Sequence, residues 1–202
     1  MAAPGTFERV YSAIRDRLRE GRYRPGERIE PALLSDQLNA SVTPVRDALH
    51  RLTGERLVEA PPHEGFRAPM MTETLLRYLY SWHLDLLLLA VMKQQASALT
   101  DNMAVKGERE LSGYEFQNTV FAVLVRATGN PEHIAALKSL TERLEPVQRL
   151  EQLFLDETET ETGDIVRALQ ANDRKALRRG LIRYHRRRLR IIPKLLETLL
   201  ET

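Results

Sequence analysis

The sequence predicts a mainly α chain in two parts, and three observations predict it. Residues 41–52, SVTPVRDALHRL, read as a short helix with one apolar face. Residues 57–68 read as a small β-hairpin directly behind it. Beyond Met71, apolar residues recur at helical spacing to the end. A small helix-and-hairpin domain is therefore expected over 1–71, and an all-helical antiparallel bundle over 72–202.

With 202 residues, 43% of them hydrophobic, the chain can bury one large core or two small ones. It has no cysteine, which excludes disulfide frameworks, thiolate zinc sites and cysteine nucleophiles. The longest apolar run, Leu86–Met92, is too short to cross a bilayer, and the N-terminus lacks an apolar signal core. A cytoplasmic chain without a membrane partner is expected. No glycine-rich phosphate loop, G-x-S-x-G elbow or H-E-x-x-H occurs, so catalysis is not expected.

The net charge of +2 conceals a reversal of sign. Asp156, Glu157, Glu159, Glu161 and Asp164 form an acidic patch, whereas Arg174 to Lys194 carries ten Lys or Arg and no carboxylate. The acidic helix is expected to neutralise the outer arginines of the basic one, among them Arg179, Arg183, Arg186, Arg187 and Arg190. Contact with nucleic acid through those arginines is the lesser reading.

Taken in order, Phe7, Val10, Ile14 and Leu18 make a helical stripe that Gly21 ends. Pro25-Gly26 is a turn, and Ile29 an extended residue ahead of Pro31. A second helix is expected from about Pro31 to Leu38, with Asn39 supplying a left-handed exit. Thr43 is expected to cap the next helix and Pro44 to take its first position. In that helix Val45, Ala48, Leu49 and Leu52 face inward, and Arg46, Asp47, His50 and Arg51 point elsewhere. Two short helices joined by a tight turn, the second opening on polar residues, form a helix-turn-helix. Leu57–Ala60 and Phe66–Ala68, around the turn Pro61–Gly65, supply a wing whose tip glycine permits close approach to phosphate or minor groove, with His63 and Arg67 beside it.

The second part reads as about five helices. Thr72 to about Leu99 is apolar beyond one face and must be covered on two sides, by its own domain and by either a second subunit or the winged helix; a homodimer is expected. Thr100 to Gly113 reads as a loop. Helices follow over Tyr114–Thr128, from Pro131 to about Leu155, over Thr158–Ala171, and from the Asn172-Asp173 cap towards Leu200 with a kink at Pro193.

The segment PGERIEPALLSDQLNASVTPVRDALHRLTGERLVEAPPHEGF resembles the N-terminal domain of the GntR family of bacterial transcription regulators, with its Pro-Gly turn, S-x-T-P-V-R-x-A-L core and wing glycine. FAVLVRATGNPEHI resembles a marker of the family's FadR-like (FCD) branch, whose helical domain binds effectors and dimerises. The resemblance implies a sequence-specific regulator bound to a double-stranded DNA operator. It places Ser41, Thr43 and Arg46 at the DNA, with His63 and Gly65 at the wing. Arg46 suits a guanine O6/N7 edge. Family members often carry Arg where this chain has Val42, and some where it has Ala32. Either base readout is reduced or the operator differs, and Val42 is suited to a thymine methyl.

Many FadR-like proteins hold a divalent metal with one Asp and three His. The corresponding positions here are Gly113, Gln117, Thr162 and His185, so no metal and no cofactor are expected. Gln117, Thr162 and His185 still point inward by helical spacing, and Arg188 falls on an apolar face and needs an anionic partner. That partner is either an internal carboxylate, from Glu145 or the acidic helix, or a small carboxylate effector held by Gln117, Thr162, His185 and Arg188. Under the first alternative the bundle serves only for oligomerisation.

Overall fold

Helix α1, Thr6–Arg19, begins the first of two compact units, and its stripe Val10, Ile14 and Leu18 is buried. The computed structural model describes residues 5–93 and 113–201. The units are Met1–Thr72 with Thr198–Thr202, and Glu73–Glu197. Among the described residues there are eight α-helices and two short strands.

After α1, Pro25-Gly26 turns the chain into β1, Arg28–Ile29. Gly26 has φ +77°, a left-handed conformation in which any other side chain would be strained. Helix α2, Pro31–Gln37, starts on proline and ends as expected: Asn39 has φ 47°, and the Ala40 and Asn39 amides donate to the Ser35 and Asp36 carbonyls. Helix α3, Val42–Gly54, packs on α1 and α2 through Val45, Ala48, Leu49 and Leu52, all four fully buried. Burying each leucine stabilises the unit by about 1.5–3 kcal/mol.

The start of α3 corrects the sequence expectation. Ser41, not Thr43, is the residue before the helix, and it makes no capping hydrogen bond through its side chain. Pro44 is the third helical residue rather than the first. A proline there costs no hydrogen bond, because the first four helical amides have no intrahelical partner.

Strand β2, Phe66–Arg67, pairs antiparallel with β1, Arg28 opposite Arg67 and Ile29 opposite Phe66. On its other side β2 meets Glu59 in a single antiparallel bridge with both hydrogen bonds at 2.9 Å. The expected hairpin is thus reduced to one rung, and the extended residue before Pro31 supplies the longer pairing. Phe66 and Ala68 close the core from this side.

The second unit contains four whole helices and most of a fifth among its described residues: α4 (Glu73–Lys93), α5 (Gly113–Arg126), α6 (Pro131–Gln148), α7 (Thr158–Gln170) and α8 (Arg174–Glu201), which belongs to it as far as Glu197. By length and composition alone α4 is apolar enough to cross a membrane, which its Leu86–Met92 run is not. Its buried face nevertheless carries Tyr80, whose hydroxyl donates to Glu151, and His83, whose Nδ1 bonds to His185. The expected end of this helix at Leu99 and residues 100–112 of the expected loop lie outside the described residues, whereas Gly113, the expected end of that loop, is the first residue of a helix.

Asn130 caps α6, its side chain accepting from the Glu132 amide at 3.0 Å, and Gly129 ahead of it has φ +67°. Helix α6 stops at Gln148 rather than near Leu155, and a short 3₁₀ turn, Glu151–Leu153, follows. Helix α8 runs through Pro193 without interruption.

Candidate nucleic-acid interface

The turn between α2 and α3 is held from outside as well as by its own backbone. Arg9 of α1 donates to the Leu38 carbonyl at 2.8 Å and the Asn39 carbonyl at 3.3 Å, placing a cation where the end of α2 is electronegative. Sequence spacing shows Arg9 only as one charge among several on the polar side of α1.

Burial of Val45, Leu49 and Leu52 turns the opposite side of α3 outward. Ser41, Val42, Thr43, Arg46, Asp47 and His50 are exposed there. Arg46 has no hydrogen-bond or ion-pair partner among the described residues. Thr43, not used as a cap, also presents a hydroxyl without one. The remaining arginine of this helix is committed to the fold: Arg51 pairs with Glu8 at 3.4 Å and Glu55 at 3.3 Å, and lies 4.1 Å from the Tyr11 ring centroid. His50 sets its ring edge against Phe66 at 4.9 Å, joining helix and wing.

At the wing tip His63 (φ 64°) and Gly65 (φ +79°) are both left-handed and exposed. Arg67 is different. Its guanidinium donates to Glu59 at 2.9 Å and Glu64 at 3.2 Å, so its charge is already met inside the wing.

In the second unit Gln117, Thr162, His185 and Arg188 are buried, and two of them, Gln117 and Arg188, share one hydrogen-bonded cluster. Arg188 donates to Glu151 at 2.9 Å, Glu161 at 2.7 Å and the Tyr184 carbonyl at 3.1 Å, and its Cζ lies 3.3 Å from the Tyr184 ring centroid. Tyr80 donates to the second oxygen of Glu151 at 2.6 Å, and Tyr184 to Gln117 Oε1 at 3.1 Å. The anionic partner of Arg188 is thus internal: one carboxylate from the acidic helix and one from the 3₁₀ turn. Glu145 instead pairs with Arg149. Burial works against the Arg188 charge, but Tyr184, Glu151 and Glu161 hold its pKa above the usual guanidinium range. Burial raises Glu151, with Arg188 opposing.

The other two bond elsewhere: Thr162 donates back to the Thr158 carbonyl at 2.9 Å. His185 Nδ1 lies 2.7 Å from the Leu181 carbonyl, an acceptor only, so it carries the proton and Nε2 accepts from His83 Nδ1 at 2.9 Å. Burial depresses both imidazoles, His185 to about 4 and His83 well below its ordinary value. The four positions of the family's metal set do not fit a divalent ion: Gly113 has no donor, and the Thr162 hydroxyl and both His185 nitrogens are spent on protein partners.

The outer arginines of α8 are only partly compensated. Arg183 pairs with Asp164 at 2.8 Å and Arg187 with Glu161 at 3.3 Å, whereas Arg179, Arg186 and Arg190 have no partner among the described residues.

A three-helix core with an exposed second helix of the helix-turn-helix and a short β-wing defines the first unit as a winged helix-turn-helix, a class of DNA-binding domain. Residues 6–67 match the family model "Bacterial regulatory proteins, gntR family". The chain is 32% identical over 133 residues to the Nta operon transcriptional regulator of Aminobacter aminovorans, an alignment covering 60% of this chain and 63% of that relative. It thus spans a little under two thirds of that relative's length. Among solved structures, E. coli McbR/YncC superposes with a TM-score of 0.65 at 21% identity, covering 95% of this chain and 99% of that one. A transcriptional regulator GntR from Rhodococcus sp. RHA1 superposes with a TM-score of 0.72 at 20% identity, covering 93% and 97%. These two likenesses establish the fold across both units. The family and the Aminobacter relative are regulators, not enzymes.

Proposed function

We propose that the chain is a cytoplasmic, sequence-specific DNA-binding transcription regulator that works as a homodimer. The observation that carries this reading is the exposed side of α3, where Arg46 has no partner among the described residues. Its guanidinium would fork onto a guanine edge in the major groove, with Ser41 and Thr43 beside it and His63 and Gly65 at backbone or minor groove. Arg67 would join them only by giving up Glu64 or Glu59. Arg46→Ala is expected to weaken operator binding by about 1–3 kcal/mol and to leave the fold intact. Titrations comparing operator with scrambled duplex check this, and undiminished discrimination in the variant would count against the reading.

Dimerisation is supported by α4. Tyr78, Trp82 and Met92 are 69%, 49% and 76% exposed, and with Leu89 they recur on one edge of a helix whose other side is buried. Such a stripe is long enough to seat a second copy. Tyr78→Glu with Trp82→Glu is expected to convert a dimer to a monomer in sedimentation velocity; an unchanged dimer would show that the contact lies elsewhere.

The cluster around Arg188 bears on the role of the bundle. A small carboxylate effector at Gln117, Thr162, His185 and Arg188 would have to displace Glu151 or Glu161, whose oxygens already occupy the guanidinium. This favours a bundle of the FadR-like kind that serves oligomerisation, with effector control as the second reading. Calorimetric titration of the protein with a panel of small carboxylates separates them: saturable heat supports the effector, and its loss in Gln117→Ala places it at this cluster.

A further inference from the structure

On the reading of α3 as the helix that enters the major groove, its first residue selects a base of its own. Val42 is 38% exposed, the one large aliphatic side chain on the outward side of the helix, and it stands four residues before Arg46. Residues four apart on a helix lie one above the other on the same face. Their backbones are separated by about 6 Å along the axis, which is about two base-pair steps of roughly 3.4 Å. The side chain of a helical residue points back towards the helix N-terminus, and that of Val42 is partly open to solvent there.

An isopropyl group facing a groove lined with donors and acceptors offers none of either. It gains free energy only against the one apolar group the major groove displays, the C5-methyl of thymine. Facing cytosine, it would cover the amino donor without accepting from it. The neighbouring hydroxyls of Ser41 and Thr43 serve any base or a phosphate equally, so they add no such preference. We infer that Val42 is a specificity-determining residue that reads a thymine methyl within two base pairs of the guanine read by Arg46.

Uracil tests this without altering any hydrogen-bonding group, because it differs from thymine only by the methyl. In a duplex selected by the full-length protein, each thymine near the conserved guanine is replaced singly by uracil. One replacement per half-site is expected to weaken binding about three- to fivefold, the loss that removing one buried methyl produces. In Val42→Ala that sensitivity should disappear, while Arg46→Ala should retain it. The wild-type measurement needs no variant to fold. Specific binding with no uracil-sensitive position, or sensitivity that persists undiminished in Val42→Ala, overturns this inference and leaves the regulator reading standing. Failure to select any sequence overturns both.

Discussion

Replacing Arg188 by methionine is expected to destabilise the second unit by about 3–5 kcal/mol, the cost of removing one partner from a buried ion pair. The magnitude follows from what is left behind. Glu151 and Glu161 are 2% and 3% exposed, and without the guanidinium two carboxylates would remain in the interior. Glu151 would keep Tyr80, and Glu161 would keep Arg187 at 3.3 Å, so neither is wholly abandoned. Methionine retains much of the apolar stem, so the loss reports charge rather than a cavity. Adding Glu151→Gln and Glu161→Gln should recover most of the loss, because neutral amides carry a smaller desolvation cost. Urea unfolding followed through Trp82, the single tryptophan and a residue of α4, measures it. A loss under about 1 kcal/mol would mean that the cluster is solvated, as exposed ion pairs are.

Acid should loosen the same unit before carboxylate titration dominates. His185 has its pKa lowered from 6.5 to about 4 by burial, and His83 is lowered well below 6.5 for the same reason. A histidine whose folded pKa is depressed binds its proton more readily when unfolded. Its contribution is complete above about pH 6.5 and shrinks as pH falls through the window towards 4. For His185 the shift corresponds to a loss on the order of 3 kcal/mol across that window, and His83 adds in the same direction. Glu151, raised by burial, acts oppositely and offsets part of it. Stability measured between pH 7 and 4.5 should fall more steeply for the wild type than for His83→Asn/His185→Asn. Equal slopes would show that the two imidazoles do not titrate with unfolding.

Much of the first unit is legible because its signals are local. Val45, Ala48, Leu49 and Leu52 fix the buried face of α3 by spacing alone, and Asn39 marks the exit of α2. The start of α3 is less so, since a proline in the third helical position looks the same in sequence as one in the first. The reduced wing is also illegible: β2 finds its longer partnership with β1, some 38 residues earlier, and no local pattern announces that.

The bundle shows the same limit. Spacing places Arg188 inward and demands an anion, yet Glu151 becomes its partner only because α6 stops at Gln148 and the chain tightens into a 3₁₀ turn. Tyr80 and His83 sit in a helix whose sequence is apolar nearly all round. Their partners lie 71 and 102 residues away, beyond the reach of any helical period.

Selection of bound fragments from random duplex DNA by the purified full-length chain bears most directly on α3 as the reading element. The expected result is an enriched motif of two half-sites about one helical turn apart, or a multiple of it, each containing a guanine whose enrichment disappears when Arg46→Ala is used. Recovery of unenriched fragments by the wild type, or of the same motif by the variant, would contradict it.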